Sequence, residues 1–278
     1  MNYHLIDTHV HFWKYNKIRD AWMDDMPVLQ QDYLPEHLSL NMKRNGVDGC
    51  VSVQAATEEV ETRFLVELSK THDIIKGVVG WVDLCAANVE EKLQEFSEHT
   101  IIKGYRHIVQ AEPDDFLLRG DFQRGVTALK NYNYTYDILI YPKQLKSTLE
   151  FVSRFPDLKL IIDHCAKPDI KNKKIDEWRS LMQEIAKNKN VFCKVSGLFT
   201  EAKWKEWSPA DFYPYLDVVF NAFGTDRLMF GSDWPVILVS GMYVQWKSLL
   251  EKYMENFKAE EKEKFFGLNA MGFYNLKM

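Results

Sequence analysis

Residues 4–11 read H-L-I-D-T-H-V-H, an apolar run that ends in alternating ionisable side chains. A short, β-rich run of this kind reads as a strand. An open doubly wound sheet would usually follow its first strand with a glycine-rich phosphate loop. Here D-T-H-V-H stands in that place, which favours a closed barrel. Seven further runs of the same character follow: GVDGCVSVQ from Gly46, IIKGVVGWVD from Ile74, IIKGYRHIV from Ile101, TYDILI from Thr135, KLIIDHC from Lys159, VFCKVSG from Val191 and RLMFGSDW from Arg227. The gaps between them hold amphipathic patterns such as EEVETRFLVELSKTH and KQLKSTLEFVSRF, with apolar residues recurring at three and four. Strands alternating with helices imply βαβ units and a parallel sheet. The predicted fold is therefore a (β/α)8 TIM barrel, one domain over residues 1–278, with long loops over its C-terminal mouth. Two stretches supply those loops: Trp13 to Pro35, long, aromatic and acidic, and Glu201 to Ser208, with two tryptophans. Asn88 with Glu91 resembles a capping box, and Pro142 and Pro209 suit first-turn positions.

Composition agrees. The chain has 278 residues, 46% hydrophobic and 27% charged, which is enough apolar material for a large core. A net charge of -5 without a dense Lys/Arg block argues against nucleic acid or an anionic membrane as the partner and points to a small-molecule substrate. No apolar stretch reaches the ~18 residues of a membrane helix. The N-terminus shows no charged, apolar and small-residue succession of a leader, so the expected location is the cytoplasm. Cys50, Cys85, Cys165 and Cys193 contain no C-x-x-C pair and read as reduced core residues. A homodimer rests on base rates alone.

Residues two apart on a strand share a face, so Asp7, His9 and His11 are expected to point together. Two imidazoles on one rigid platform can chelate a divalent cation or orient a carbonyl, although H-x-H also occurs as a pair of structural histidines. Other ionisable residues recur at strand ends: Arg106 and His107, Asp163 and His164, Lys194 and Ser196, and Asp233. In a parallel barrel all of these ends meet at one mouth. Alternation allows one of each adjacent pair to face inward; His164 is taken over Asp163, while Arg106 and His107 stay undecided.

With these residues in place the chain resembles the amidohydrolase superfamily, whose barrels open with H-x-H and close with an Asp on the eighth strand. The resemblance runs through D-T-H-V-H-F-W, V-Q-A, K-G-Y-R-H, D-H-C-A-K-P, C-K-V-S-G-L and F-G-S-D-W-P. It looks like the branch of sugar-acid lactonases such as L-fuconolactone and L-rhamnonolactone hydrolases. This implies a reacting centre of His9, His11, His164 and Asp233, with Asp233 as base and His164 beside it. It also implies at most one divalent ion, zinc, on those four residues, with some members working without metal. Lys103 precedes Gly104 near the start of the fourth strand, so the carbamylated-lysine two-metal arrangement is not expected.

Lactone hydrolysis needs a more basic water and a more electrophilic carbonyl, and Asp233 with the histidines could supply both. Arg106, His107, Lys194 and Gln54 are candidates for substrate hydroxyls or the carbonyl, Lys194 equally for an ion pair across the barrel. Trp13, Trp234 and Trp204 could face a sugar ring or simply pack. The competing readings are a metal-dependent decarboxylase of an aromatic acid, a hydrolase of another cyclic ester or amide, and a binding barrel without catalysis.

Overall fold

The computed structural model describes residues 4–278, and among them eight strands form one parallel sheet in sequence order. They are β1 Ile6–Val10, β2 Gly49–Val53, β3 Ile75–Gly80, β4 Ile102–His107, β5 Thr135–Ile138, β6 Leu160–Ile162, β7 Val191–Val195 and β8 Leu228–Phe230. Each of the eight apolar runs contains one strand. The sheet closes through the residues that follow β8. Val10 bridges Trp234 in parallel, His11 N–H donates to Trp234 O at 2.7 Å, and Asp233 N–H donates to His9 O at 2.9 Å. Lower down, the Thr8 hydroxyl donates to Phe230 O at 2.7 Å and Ser232 N–H to Asp7 Oδ1 at 2.9 Å.

The helices are α1 Pro35–Arg44, α2 Glu59–Thr71, α3 Val89–Phe96, α4 Gly120–Leu129, α5 Leu145–Arg154, α6 Asp176–Ile185, α7 Leu198–Glu201, α8 Tyr213–Phe223, α9 Tyr243–Tyr253, α10 Ala259–Glu263 and α11 Asn269–Tyr274. The longer helices bury the stripe their period dictates: α5 turns Leu145, Thr148, Phe151 and Val152 inward. Pro142 and Pro209 open short 3-10 turns ahead of α5 and α8, as their fixed φ suits. Asn88 makes no side-chain cap bond, so the capping box read at that site does not form. Among the described residues no helix is long and apolar enough to cross a membrane, and all four cysteines are free thiols.

The lower barrel interior is apolar, with Ile6, Val51, Val53, Val79, Ile161 and Met229 packed on Ala270, Phe273, Tyr274 and Leu276. The C-terminal segment thus plugs the N-terminal end. The approach is close: a Cβ on Gly267 would lie 1.8 Å from His4 O, so only glycine fits there.

β1 departs from simple alternation. Its register against β2 shifts between Asp7 and Val10, a bulge that inserts a residue and reverses the facing. Ile6 therefore points inward, while Asp7, paired with Cys50, lies on the outer side against Tyr243 of α9. Burial pushes the Asp7 carboxyl up to about 6, against the pull of the Ser232 and His9 bonds. Asp7 does not share a face with His9 and His11.

Candidate active site

Above the apolar floor lies a wholly buried charged layer. Lys194 Nζ donates to Asp137 Oδ2 at 2.5 Å and sits 3.1 Å from Asp163 Oδ1; the Tyr274 hydroxyl donates to Asp137 Oδ2 at 2.9 Å. Burial raises the Asp137 carboxyl above the ordinary carboxylate range, with Lys194 opposing. Burial acts on Asp163 in the same sense, but Lys194, His9 and Arg106 outweigh it and hold Asp163 well below that range. Lys194 is thus the ion pair across the barrel, fully shielded from solvent and from any substrate.

Asp163 and His164 both enter the interior, contrary to the rule applied to adjacent residues. β6 ends at Ile162, and His164, Cys165, Ala166 and Lys167 take left-handed φ of 53°, 52°, 57° and 47°. Alternation holds only while the chain is extended, so this turn releases it. The turn is anchored by Trp178 Nε1–H donating to Cys165 O at 2.8 Å. His164 is also hemmed in by Gly197, where a Cβ would come within 2.5 Å of His164 Nδ1.

Arg106 settles the other undecided pair. It points inward, donating to Gln54 Oε1 from Nε at 3.2 Å and from Nη2 at 2.9 Å, and from Nη1 to Asp163 Oδ2 at 3.1 Å. His107 faces outward, stacked on Phe116 with 4.8 Å between rings and bonded to Glu112 at 2.9 Å. Gln54 is buried and spent on Arg106. Trp13 and Trp234 are buried and pack edge-on against Tyr33. Trp204 is exposed and donates to Thr200 O. None of these three tryptophans, nor His107, Gln54 or Lys194, lines the pocket at the mouth.

That pocket, about 110 Å³, has His11, Arg106, His164 and Asp233 at its base. Apolar side chains of Trp22, Ile108, Leu139 and Val236 form much of its wall, and Gln110 and Lys167 contribute polar atoms. Asp233 reaches it from a residue with φ 62° just beyond β8. Sequence reasoning missed Asp163, Lys167, Gln110 and Trp22. Asp163 and Lys167 stood inside D-H-C-A-K-P and Trp22 inside the long aromatic loop, but no linear spacing aims them at the mouth.

The protonation states follow from the partners. Burial lowers His9, His11 and His164 below their ordinary value, so all three are neutral near pH 7. Burial would raise Asp233, but the His164 and His11 rings and the Lys167 ammonium beside it bring it below the usual range, so it is ionised. His11 Nδ1 lies 2.7 Å from Val53 O, which only accepts, so that nitrogen carries the proton. His9 Nδ1 stands 3.4 Å from the Asp163 carboxylate and 3.3 Å from the Lys194 ammonium. His11 Nε2 is left as an acceptor, 3.2 Å from His9 Nε2 and 3.4 Å from Asp233 Oδ1. Positive charge nearby offsets this crowding of acceptors. Arg106 Nη1, 3.1 Å from His9 Nε2, supplies part of it.

A divalent ion fits the same need. His9, His164 and Asp233 each offer one ligand atom, all within 4.8 Å of one another, and neutral imidazole with carboxylate is a donor set that zinc accepts. His11, expected as a fourth ligand, stands beside this trio through its contacts to His9 and Asp233. Asp163 holds the His9 ring from behind, as metal-bound imidazoles usually require.

Known proteins resemble this chain along nearly its whole length. Residues 6–276 match the family described as amidohydrolase. A Burkholderia multivorans protein named L-fucono-1,5-lactonase is 37% identical, covering 98% of this chain and 96% of its own length. A Burkholderia ambifaria protein of the same name is 31% identical over 98% of this chain and 95% of its own. A Burkholderia multivorans amidohydrolase solved with bound zinc superposes with a TM-score of 0.95 at 37% identity, covering 99% of this chain and 100% of that one.

Proposed function

This chain belongs to the amidohydrolase family, and from that premise we propose that it opens the lactone ring of a small sugar acid, an aldonolactone of the L-fuconolactone or L-rhamnonolactone type. The observation that carries the reading is the Asp233 carboxyl group at the base of a pocket, 3.4 Å from His11 Nε2 and 3.8 Å from His164 Nε2. A carboxylate so placed takes a proton from water as the water attacks the lactone carbonyl. It returns that proton to the ring oxygen when the acyl–oxygen bond breaks, giving the hydroxy acid. Arg106, fixed by Gln54 and Asp163, offers positive charge beside the centre where the carbonyl oxygen becomes negative. The apolar wall of Trp22, Ile108, Leu139 and Val236 suits the C–H face of a sugar ring. His9, His164 and Asp233 would hold a divalent ion, which would supply Lewis-acid polarisation of the carbonyl. Two relatives above 30% identity bearing a lactonase name support hydrolysis over decarboxylation. Four unpaired thiols suit a reducing compartment such as the cytoplasm.

The test is a pH-indicator assay against a panel of aldonolactones with and without a strong chelator. Acid release from L-fucono-1,5-lactone well above the spontaneous rate is expected. Release that survives chelation assigns the work to Asp233 and the protein cations; release lost with chelator and restored by zinc assigns a share to the ion. Silence across the panel ends the lactonase reading.

A further inference from the structure

We propose that Lys167 and Glu201 form a split donor–acceptor pair that reads hydroxyl groups on the substrate ring, so that the site selects a polyhydroxylated lactone over a bare one. The inference rests on the lactonase reading and names what that site discriminates.

The pair stands out from its surroundings. Lys167 walls both the reacting pocket and an adjoining groove of about 940 Å³, which Glu201 also lines. Two other lysines of that groove are spent on close partners: Lys143 lies 2.9 Å from Asp114 and Lys146 2.9 Å from Glu177. Among the described residues Lys167 Nζ has only Glu201 Oε1, at 3.9 Å, with side-chain exposures of 15% and 17%. That gap exceeds hydrogen-bond reach, and charge-assisted bonds close to about 2.7–2.9 Å. Two mostly buried opposite charges are thus held near one another without joining, and an ammonium with three donors bonds no acceptor among the described residues.

The backbone explains why they do not collapse together. Lys167 ends the left-handed run that begins at His164, and its N–H donates to His164 O at 2.8 Å. The strained turn that aims His164 therefore also fixes the root of Lys167, and such strain is commonly kept where a site needs it. Nζ further rests 5.3 Å over the Tyr141 ring. Glu201 is held on the other side, at the end of α7, its N-terminal neighbour Thr200 bonded to Gly197 O at 2.7 Å.

A group that bridges a 3.9 Å gap between ammonium and carboxylate must accept from one and donate to the other. A hydroxyl does both; a ring methylene or an ester oxygen does not. Gln110 lines the reacting pocket beside Lys167, and its buried Oε1 has no donor among the described residues. A site whose buried polar groups are completed by substrate hydroxyls rejects analogues lacking them strongly, since the groups are left unpaired.

The experiment compares wild type, K167M and E201Q in two measurements. The first is the ratio of kcat/KM for L-fucono-1,5-lactone to that for δ-valerolactone, which has no hydroxyls. The ratio is expected to fall about 100-fold in K167M and about 10-fold in E201Q, with thermal midpoints near wild type. An unchanged ratio in both variants overturns the proposal. The second is calorimetric titration with the ring-opened acids L-fuconate and 5-hydroxyvalerate, which needs no turnover. Selective weakening of L-fuconate supports the pair. Equal weakening of both acids makes Lys167 a carboxylate anchor instead and overturns it. If wild type opens neither lactone, the lactonase reading falls, and the titration alone decides: L-fuconate binding that the variants leave intact, or no L-fuconate binding at all, sinks the hydroxyl-reading pair as well.

Discussion

The two ends of the barrel interior are built from the same eight strands and behave as opposites. At the floor, Ile6, Val51, Val79, Ile161 and Met229 meet Phe273 and Leu276 and leave no charge. At the mouth, a β-bulge turns His9 and His11 inward, and left-handed residues at 164–167 and 233 aim His164, Lys167 and Asp233. Between them lies the Asp137–Lys194–Asp163 layer, touched from below by Tyr274 and from above by His9. The difference teaches that apolar packing of strand against C-terminal segment builds stability here, while a bulge and left-handed turns at the opposite end aim the side chains of the site. Stability and chemistry should therefore separate by height along the barrel axis.

The largest expected effect is at the mouth. Asp233→Asn deletes the proposed base at nearly constant shape, so kcat should fall at least about 1,000-fold, while the thermal midpoint stays level or rises, as functional sites commonly cost stability. A variant that keeps turnover removes Asp233 as the base. Lys194→Met tests the middle layer. It strips the cation from two buried carboxylates, and breaking a buried pair costs about 3–5 kcal/mol; denaturant titration should show that loss, and activity should fall with it because Asp163 no longer holds His9 in a fixed charge environment. An effect on stability without one on rate would detach the layer from the site.

At the floor, Leu276→Ala should cost about 2 kcal/mol by leaving a cavity, with kcat of the folded enzyme close to wild type. A large kcat loss there would break the separation by height.

The smallest effect is on pH. Burial pushes the Glu61 carboxyl up to about 7 and the Asp7 carboxyl up to about 6, although Glu61 accepts bonds from the Ala55 and Ala56 amides. The folded chain holds these protons more tightly than the unfolded one. Their stabilisation is therefore complete below about pH 4, the ordinary carboxylate range, and is lost as pH rises through about 7. Thermal midpoints should drop by a few degrees between pH 6 and pH 8, and Glu61→Gln should flatten the slope. Ala55 lines the pocket, so that variant also shows how far the mouth feels its supporting helix α2.

Much of the fold could be read from the chain because period-2 apolar runs and period-3.6 amphipathic runs are local properties. Each of the eight strands falls inside a run marked by pattern alone. The same local rule misled at two places. It put Asp7 with His9 and His11, and it forced a choice between Asp163 and His164. Both errors arise where the backbone stops being a regular strand, at the bulge after Asp7 and at the left-handed turn after Ile162. Lys194, Gln54, Trp13 and Trp234 were recognisable as residues near strand ends, but their depth was not. Whether a side chain at that position meets a substrate or a buried carboxylate depends on one residue of rise, about 3.3 Å.

The sequence by itself determined the alternating element order, the closed parallel topology and the convergence of His9, His11, His164 and Asp233, because spacing along strands fixes which ends share a mouth. Only the tertiary structure decided which neighbours of those residues face inward, which charges pair and which stay apart. Asp163 behind His9, Arg106 against His9 Nε2, and Lys167 short of Glu201 are separated by 154, 97 and 34 residues in the chain, and distances between such positions are set by barrel closure and by backbone turns that no local pattern encodes.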